Sequence, residues 1–226
     1  MSENDLVKYV TYVPNRGIAR VKAGRVELYS TQNDVTLYAA VDTYLVDATW
    51  ISRMTWNNDT DAEQSCVVEY ETGLNITEGG KITNGYSVGA AFDGFSISFE
   101  QQQKVFTTTE TKEAKTISIP VTVPARSYVT FYQRRYKFKN SMFFILDTGN
   151  QLYNIGSWGS YDLSRLDCIL EIMSEDYVIL SSDLDGSAAG TIDVKRLVEA
   201  VLSVGLTWKR EDCPEECQTR LEDLGV

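Results

Sequence analysis

Histidine is absent from the 226 residues, and its absence removes whole classes of chemistry. Ser-His-Asp and Cys-His nucleophilic machinery, histidine-bearing zinc sites and imidazole general bases all require that ring. Long apolar runs are missing too: nothing approaches the roughly 18 consecutive apolar residues of a membrane-crossing helix. Met1-Ser2-Glu3-Asn4-Asp5 does not begin a basic-then-apolar secretory leader, so a chain made in soluble form is expected. Positive charge is scarce, with 21 Lys plus Arg against 32 Asp plus Glu and a formal net charge of −11. Such an excess of carboxylates opposes binding to nucleic acid or to strongly anionic lipid, which both need cation-rich surface. A neutral or sugar-bearing surface is the better target.

Cysteine is sparse: Cys66, Cys168, Cys213 and Cys217 can form two disulfides or stay free, and without a leader reduced thiols are expected. Cys213-Pro-Glu-Glu-Cys217 lacks the two-residue spacing of common zinc knuckles and has no second pair. Other motifs fail on counting. Glu78-Gly79-Gly80-Lys81 lacks the first glycine of a phosphate loop and is followed by Ile82 instead of Ser or Thr. Asp183 to Asp193 resembles a calcium loop, but Ala188-Ala189 is an insertion before the required glycine and Arg196 stands where the bidentate Glu belongs. Neither a metal nor a cofactor is expected, and no catalytic residue can be nominated.

What is present is β-forming sequence punctuated by turn signals. Short strands are expected over residues 7–13, 18–21, 26–29, 35–40 and 44–50, with Pro14-Asn15-Arg16-Gly17 and Ala23-Gly24 breaking them. Further strands are expected over residues 66–77, 117–123, 128–138 and 142–146. Pro120 and Pro124 put the 117–123 strand at an edge or an end. Arg134, Arg135 and Lys137 read as a solvated face paired with acidic neighbours. Trp158, in Gly156-Ser157-Trp158-Gly159, is a candidate for surface contact with membrane or ligand, or a plug at the end of a β-sandwich. Residues 194–204 and 211–224 change character and read as helical.

One stretch stands apart. Residues 84–106 read NGYSVGAAFDGFSISFEQQQKVF, and Asp93-Gly94 is a preferred pair for a two-residue hairpin turn. Folding there pairs Phe92 with Phe95, Ala90 with Ile97, Val88 with Phe99 and Tyr86 with Gln101, all on one face because strand side chains alternate. The other face collects Ala91 with Ser96, Gly89 with Ser98 and Ser87 with Glu100. One side suits hydrocarbon and the other water. Each arm, residues 84–92 and 95–103, has the roughly 9–11 residues of a membrane-crossing strand, and apolar-out, polar-in alternation is what a membrane barrel requires. The same pattern also serves a hairpin packed permanently on a soluble core.

Residues 66–138 run as a long polar strand, the amphipathic hairpin, a threonine-rich return TTTETKEAKT leading into Val121-Thr122-Val123-Pro124, then YVTFYQRRYKF. This order resembles the pore-forming module of the aerolysin and epsilon-toxin-like β-pore-forming proteins. The resemblance covers about a third of the chain. It implies a mainly β protein with an elongated antiparallel sheet or sandwich body and a short helical C-terminal segment. It also implies a homo-oligomer on a target membrane and no enzymatic activity. By matching order, the membrane-inserting residues are Tyr86, Val88, Ala90, Phe92, Asp93, Gly94, Phe95, Ile97 and Phe99. The lumen-facing ones are Ser87, Gly89, Ala91, Ser96, Ser98 and Glu100. No receptor-binding module and no activation segment is recognisable.

The expected organisation is an N-terminal β segment over residues 1–60, a pore-forming module over 61–140 with its hairpin at 84–103, and C-terminal strands and helix over 141–226. The expected location is synthesis as a soluble cytoplasmic protein that acts outside the cell, on a target membrane, if released. A different class of function stays open on the residues alone, a lectin-like carbohydrate-binding β-protein whose aromatics form sugar sites. A hydrolase working through paired carboxylates is a third.

Overall fold

The computed structural model describes residues 8–12, 19–32, 34–78, 96–99, 102–107, 110, 114–156, 163–182, 184 and 206–226. Its spine is a pair of very long strands, β3 (Val35–Asn58, 24 residues) and β8 (Ser127–Thr148, 22 residues). They run antiparallel from Val35 opposite Thr148 to Asn58 opposite Ser127. Where four strands were expected in these two stretches, two are found: Val41, Asp42 and Thr43 continue β3, and Lys139, Asn140 and Ser141 continue β8. Polar residues are carried through because the ladder satisfies their backbones regardless of side chain.

The spine keeps its apolar side inward by bulging. Register shifts between Leu45 and Asp47 and between Ser52 and Met54 each insert one residue, which flips the side-chain alternation downstream. Of the β3 residues in the main core, Leu37, Ala39, Val41 and Leu45 before the first bulge are odd-numbered, and Ala48 after it is even-numbered. Strand alternation read straight through would have turned half the strand inside out.

Around the spine, β1 (Lys8–Tyr12) and β2 (Ala19–Ser30) both pair with β3, on its far edge. Gly24 does not break β2; it faces Val41 within a continuous strand. On the other edge β8 pairs with β10 (Arg165–Leu180) and with β9 (Gln151–Gly156), which carries the parallel β11 (Thr207–Lys209). A helix α1 (Glu215–Leu224) buries Cys217, Leu221 and Leu224 in the main core with Leu37, Phe138, Phe144 and Leu146. It ends at Gly225, φ 79°, the left-handed cap that glycine supplies without a Cβ clash. The body is mainly β with one short C-terminal α-helix, the fold class the sequence implies.

Strand β4 (Gln64–Glu78) has two partners. Its first part, from Gln64 to Thr72, pairs with the edge strand β7 (Lys115–Val123); its last part, from Gly73, pairs with β10. The β4–β7 pair lays Val68, Tyr70, Val121 and Val123 on Val129 and Phe131 of β8 as a second core. Pro120 sits in β7 with no further strand beyond it among the described residues, the edge placement that a residue without N–H requires.

The basic cluster is not a solvated face. Arg135 does pair with Glu171 (3.1 Å) and lies 3.9 Å from Asp47. Arg134, however, is 7% exposed and stacks its guanidinium 4.9 Å from the Trp50 ring, because a guanidinium spreads its charge over a plane that packs on aromatic faces.

Candidate inserting segment and its anchor

The ladder between β4 and β7 is regular. Nine consecutive pairs, Gln64 with Val123 through Thr72 with Lys115, run without a bulge. Cys66, Val68 and Tyr70 of β4, with Ile117, Ile119 and Val121 of β7, belong to or pack against the second core. Glu69, Glu71 and Ser118 point outward into water, as does Val67, 63% exposed. At Gly73 the strand changes allegiance. Its φ of 144° is one that side-chain-bearing residues avoid, and Gly73, Leu74 and Asn75 pair with Met173, Ile172 and Glu171 of β10.

Past that point the chain is described again at β5 (Ser96–Phe99) and β6 (Gln102–Val105). These pair with each other, Ser96 opposite Val105 and Phe99 opposite Gln102. Where a single strand was expected over residues 95–103, two short strands therefore pair antiparallel. Two-stranded ribbons this short draw little stability from their own hydrogen bonds. Of the sites read from sequence, Ser96, Ile97, Ser98 and Phe99 lie in β5. Tyr86, Ser87, Val88, Gly89, Ala90, Ala91, Phe92, Asp93, Gly94, Phe95, Glu100 and Trp158 lie outside the described residues. The calcium-like stretch from Asp185 and the 194–204 helix lie outside them as well.

Immediately after β6 the chain is bolted to the body. Phe106, 3% exposed, meets the rings of Tyr136 and Phe138 edge-on, at centroid distances of 5.0 and 5.8 Å. Four residues later Glu110 is completely buried, and every near neighbour donates to it. Lys104 Nζ reaches Oε1 at 2.6 Å, Ser174 Oγ at 2.8 Å and the Glu175 N–H at 2.7 Å; the Thr107 N–H reaches Oε2 at 2.8 Å. Burial pushes the Glu110 carboxyl up, but the hydrogen bonds from Lys104, Thr107 and Glu175 outweigh it and hold the group below its ordinary value. Lys104 also bonds Asp176 (3.1 Å), which accepts from the Tyr136 hydroxyl (3.1 Å).

The receiving side of this contact is a bulge. Met173 of β10 faces Arg135 and Tyr177 faces Gln133, so Ser174, Glu175 and Asp176 stand together opposite the single residue Arg134. Bulges re-aim side chains and free backbone groups from the ladder; here they point the Ser174 hydroxyl and the Glu175 N–H at Glu110. Gln133 fastens the bulge from behind, its Nε2 donating to the carbonyls of Ser174 (3.0 Å) and Glu71 (2.7 Å).

Sequence reasoning did not single out Lys104, Phe106, Glu110 or Ser174. Glu110 lies within the tract read as a threonine-rich return strand. The available signal was in β10, where the polar triplet Ser174-Glu175-Asp176 interrupts the alternation of Cys168, Leu170 and Ile172, as a bulge does.

Among the described residues no group of His, Cys, Asp and Glu could hold a metal ion, and no helix is long and apolar enough to cross a membrane. The four cysteines are free. Burial pushes the Cys168 thiol up to about 11 and the Cys213 thiol up to about 12.

No protein-family model and no curated protein matches the chain. Two solved structures similar to it are toxins. One is the oligomeric pore-forming toxin pro-Monalysin, 14% identical over 80% of this chain and 78% of that one, with a TM-score of 0.42. Another is the parasporin-2 Bacillus thuringiensis toxin that recognizes cancer cells, 16% identical over 66% of this chain and 75% of that one, with a TM-score of 0.19.

Proposed function

We propose that this is a non-enzymatic, β-barrel pore-forming protein that assembles as a homo-oligomer on a target membrane and inserts residues 84–103 as a hairpin. The observation that carries the reading is a register. Counting on from Thr72 opposite Lys115, in step and without a bulge, pairs Tyr86 with Gln101, Val88 with Phe99, Ala90 with Ile97 and Phe92 with Phe95. Asp93 and Gly94 are left as the two-residue turn. That is the hairpin which turn chemistry alone selects, reached from the opposite end of the chain. The facing agrees as well: Tyr86, Val88 and Phe92 continue the side of β4 that carries Val68 and Tyr70 in the second core, while Ser87, Gly89 and Ala91 continue the side of Glu69 and Glu71.

In this reading the soluble form keeps the ladder interrupted at Gly73, and the inserted form completes it. Assembly is obligatory, since a lone hairpin in hydrocarbon leaves two rows of unpaired N–H and C=O groups, each costing several kcal/mol. A closed ring pairs them all. Burying Tyr86, Val88, Phe92, Phe95, Ile97 and Phe99 in lipid contributes roughly 1.5–3 kcal/mol for each large side chain, multiplied around the ring. Residues 61–140 act as the pore-forming module, 1–60 as a β segment available for membrane or receptor contact, and 141–226 as strands and helix on the body. The protein is made in soluble form and works from outside the target cell. Vesicle dye release tests the function: leakage with rings stable in detergent is expected, whereas a carbohydrate-binding protein would bind glycans and release nothing.

A further inference from the structure

Resting on that reading, we propose that Lys104, Glu110 and the β10 bulge form a lock that holds the return arm of the hairpin on the body, and that opening this lock gates insertion. The bonds that seat Glu110 are incompatible with the completed ladder. The arm is bent between Thr107 and Glu110, whose N–H donates back to the Thr107 carbonyl at 3.1 Å, whereas a strand continuing β7 needs that stretch extended. The turn must undo before Lys115 can be followed by further pairs with β4.

The lock is also separable from what it is fastened to. The pairs flanking the bulge, Met173 with Arg135 and Tyr177 with Gln133, and the bond from Gln133 to the Ser174 carbonyl involve no residue of the arm. Glu110 can leave without unpairing β8 from β10. Thr107 Oγ1 adds a bond to the Glu175 carboxylate at 3.3 Å, and Phe106 gives up its contacts with Tyr136 and Phe138. In the completed register Glu110 falls opposite Thr77 and Lys104 opposite Thr83, both on the outward side shared with Glu69 and Glu71. Opening thus moves a fully buried carboxylate and its ammonium partner into water, which offsets part of the bonds lost.

Two measurements test the lock, and they fail separately. In hydrogen exchange on the soluble protein, Glu110→Gln is expected to speed exchange across residues 102–110 about tenfold, the effect of removing a charge-assisted bond, with the β3–β8 ladder unchanged. Equal exchange in both proteins overturns the lock. In a Cys66→Ser background, T107C/E175C is expected to abolish dye release from phosphatidylcholine–cholesterol vesicles when oxidised and to restore it on reduction. Release by the oxidised form at the reduced rate overturns the gating role. Vesicles left intact by every form, wild type included, sink the insertion reading and with it the gate, while the exchange result still decides whether Glu110 holds the arm.

Discussion

Gly73 pairs with Met173 of β10, while its neighbour Thr72 still pairs with Lys115 of β7. One residue with a φ of 144° separates the part of β4 that keeps its partner from the part that has exchanged it. A regular strand through this point needs no positive φ, so the backbone at Gly73 is shaped by the exchange of partners.

Gly73→Val is therefore expected to destabilise the soluble protein by about 1–3 kcal/mol and to quicken dye release, since valine favours the uninterrupted strand. Denaturant unfolding and vesicle leakage check the two halves. Unchanged stability would show that the backbone at Gly73 carries no such constraint.

Phe95→Lys places a charge at the proposed leading tip of the hairpin. The soluble protein is expected to fold as before, with leakage blocked; undiminished leakage would remove residues 84–103 from the inserting role. Ser96→Cys and Ser98→Cys, assigned to the lumen, are expected to react with a water-soluble thiol reagent after assembly. Labelling by lipid-phase reagents alone would reverse the assigned facing.

The lock should survive mild acid. Glu110 faces Lys104 and Thr107 of its own arm and Ser174, Glu175 and Asp176 of β10, with Tyr136 of β8 and Tyr70 of β4 nearby. Its carboxyl is held below the ordinary 4.5. The Asp167 carboxyl, opposed by burial but bonded by Arg165 and Lys139, is lowered from 3.8 to about 2. A carboxylate depressed on folding contributes stability that is complete above its unfolded value and is lost as pH falls through its folded one. Stability from these two groups is expected to stay flat from neutrality to about pH 5 and to fall below about pH 4.5. In Glu110→Gln the fall should be shallower and the stability at neutral pH lower. Wild-type loss of stability between neutrality and pH 5, followed by tryptophan fluorescence, would contradict the assigned burial and bonding of Glu110.

How far the molecule could be read beforehand depended on how local each signal was. The edge position of β7 was legible because Pro120 cannot donate to a ladder, and the terminal helix because residues 211–224 change composition. The joining of short strands into β3 and β8 was not, since Asp42, Thr43, Lys139 and Asn140 look like breaks until a partner strand pairs their backbones. Arg134 was misread for the same reason: its partner, the Trp50 ring, is far away in sequence. The anchor was invisible because it is built from Glu110 and a bulge more than sixty residues on, at Ser174, and neither half announces the other.

The proposed insertion is a change of register, and Ser96 reports on both states. In the soluble structure it pairs with Val105; in the completed ladder it pairs with Ala91. Cross-linking of S96C/V105C and of A91C/S96C, each in a Cys66→Ser background, measures the two pairings before and after assembly on vesicles. S96C/V105C is expected to close in solution and to block leakage when closed, and A91C/S96C to close only in the assembled ring. Rings that form and leak with Ser96 still tied to Val105 would contradict that change of register.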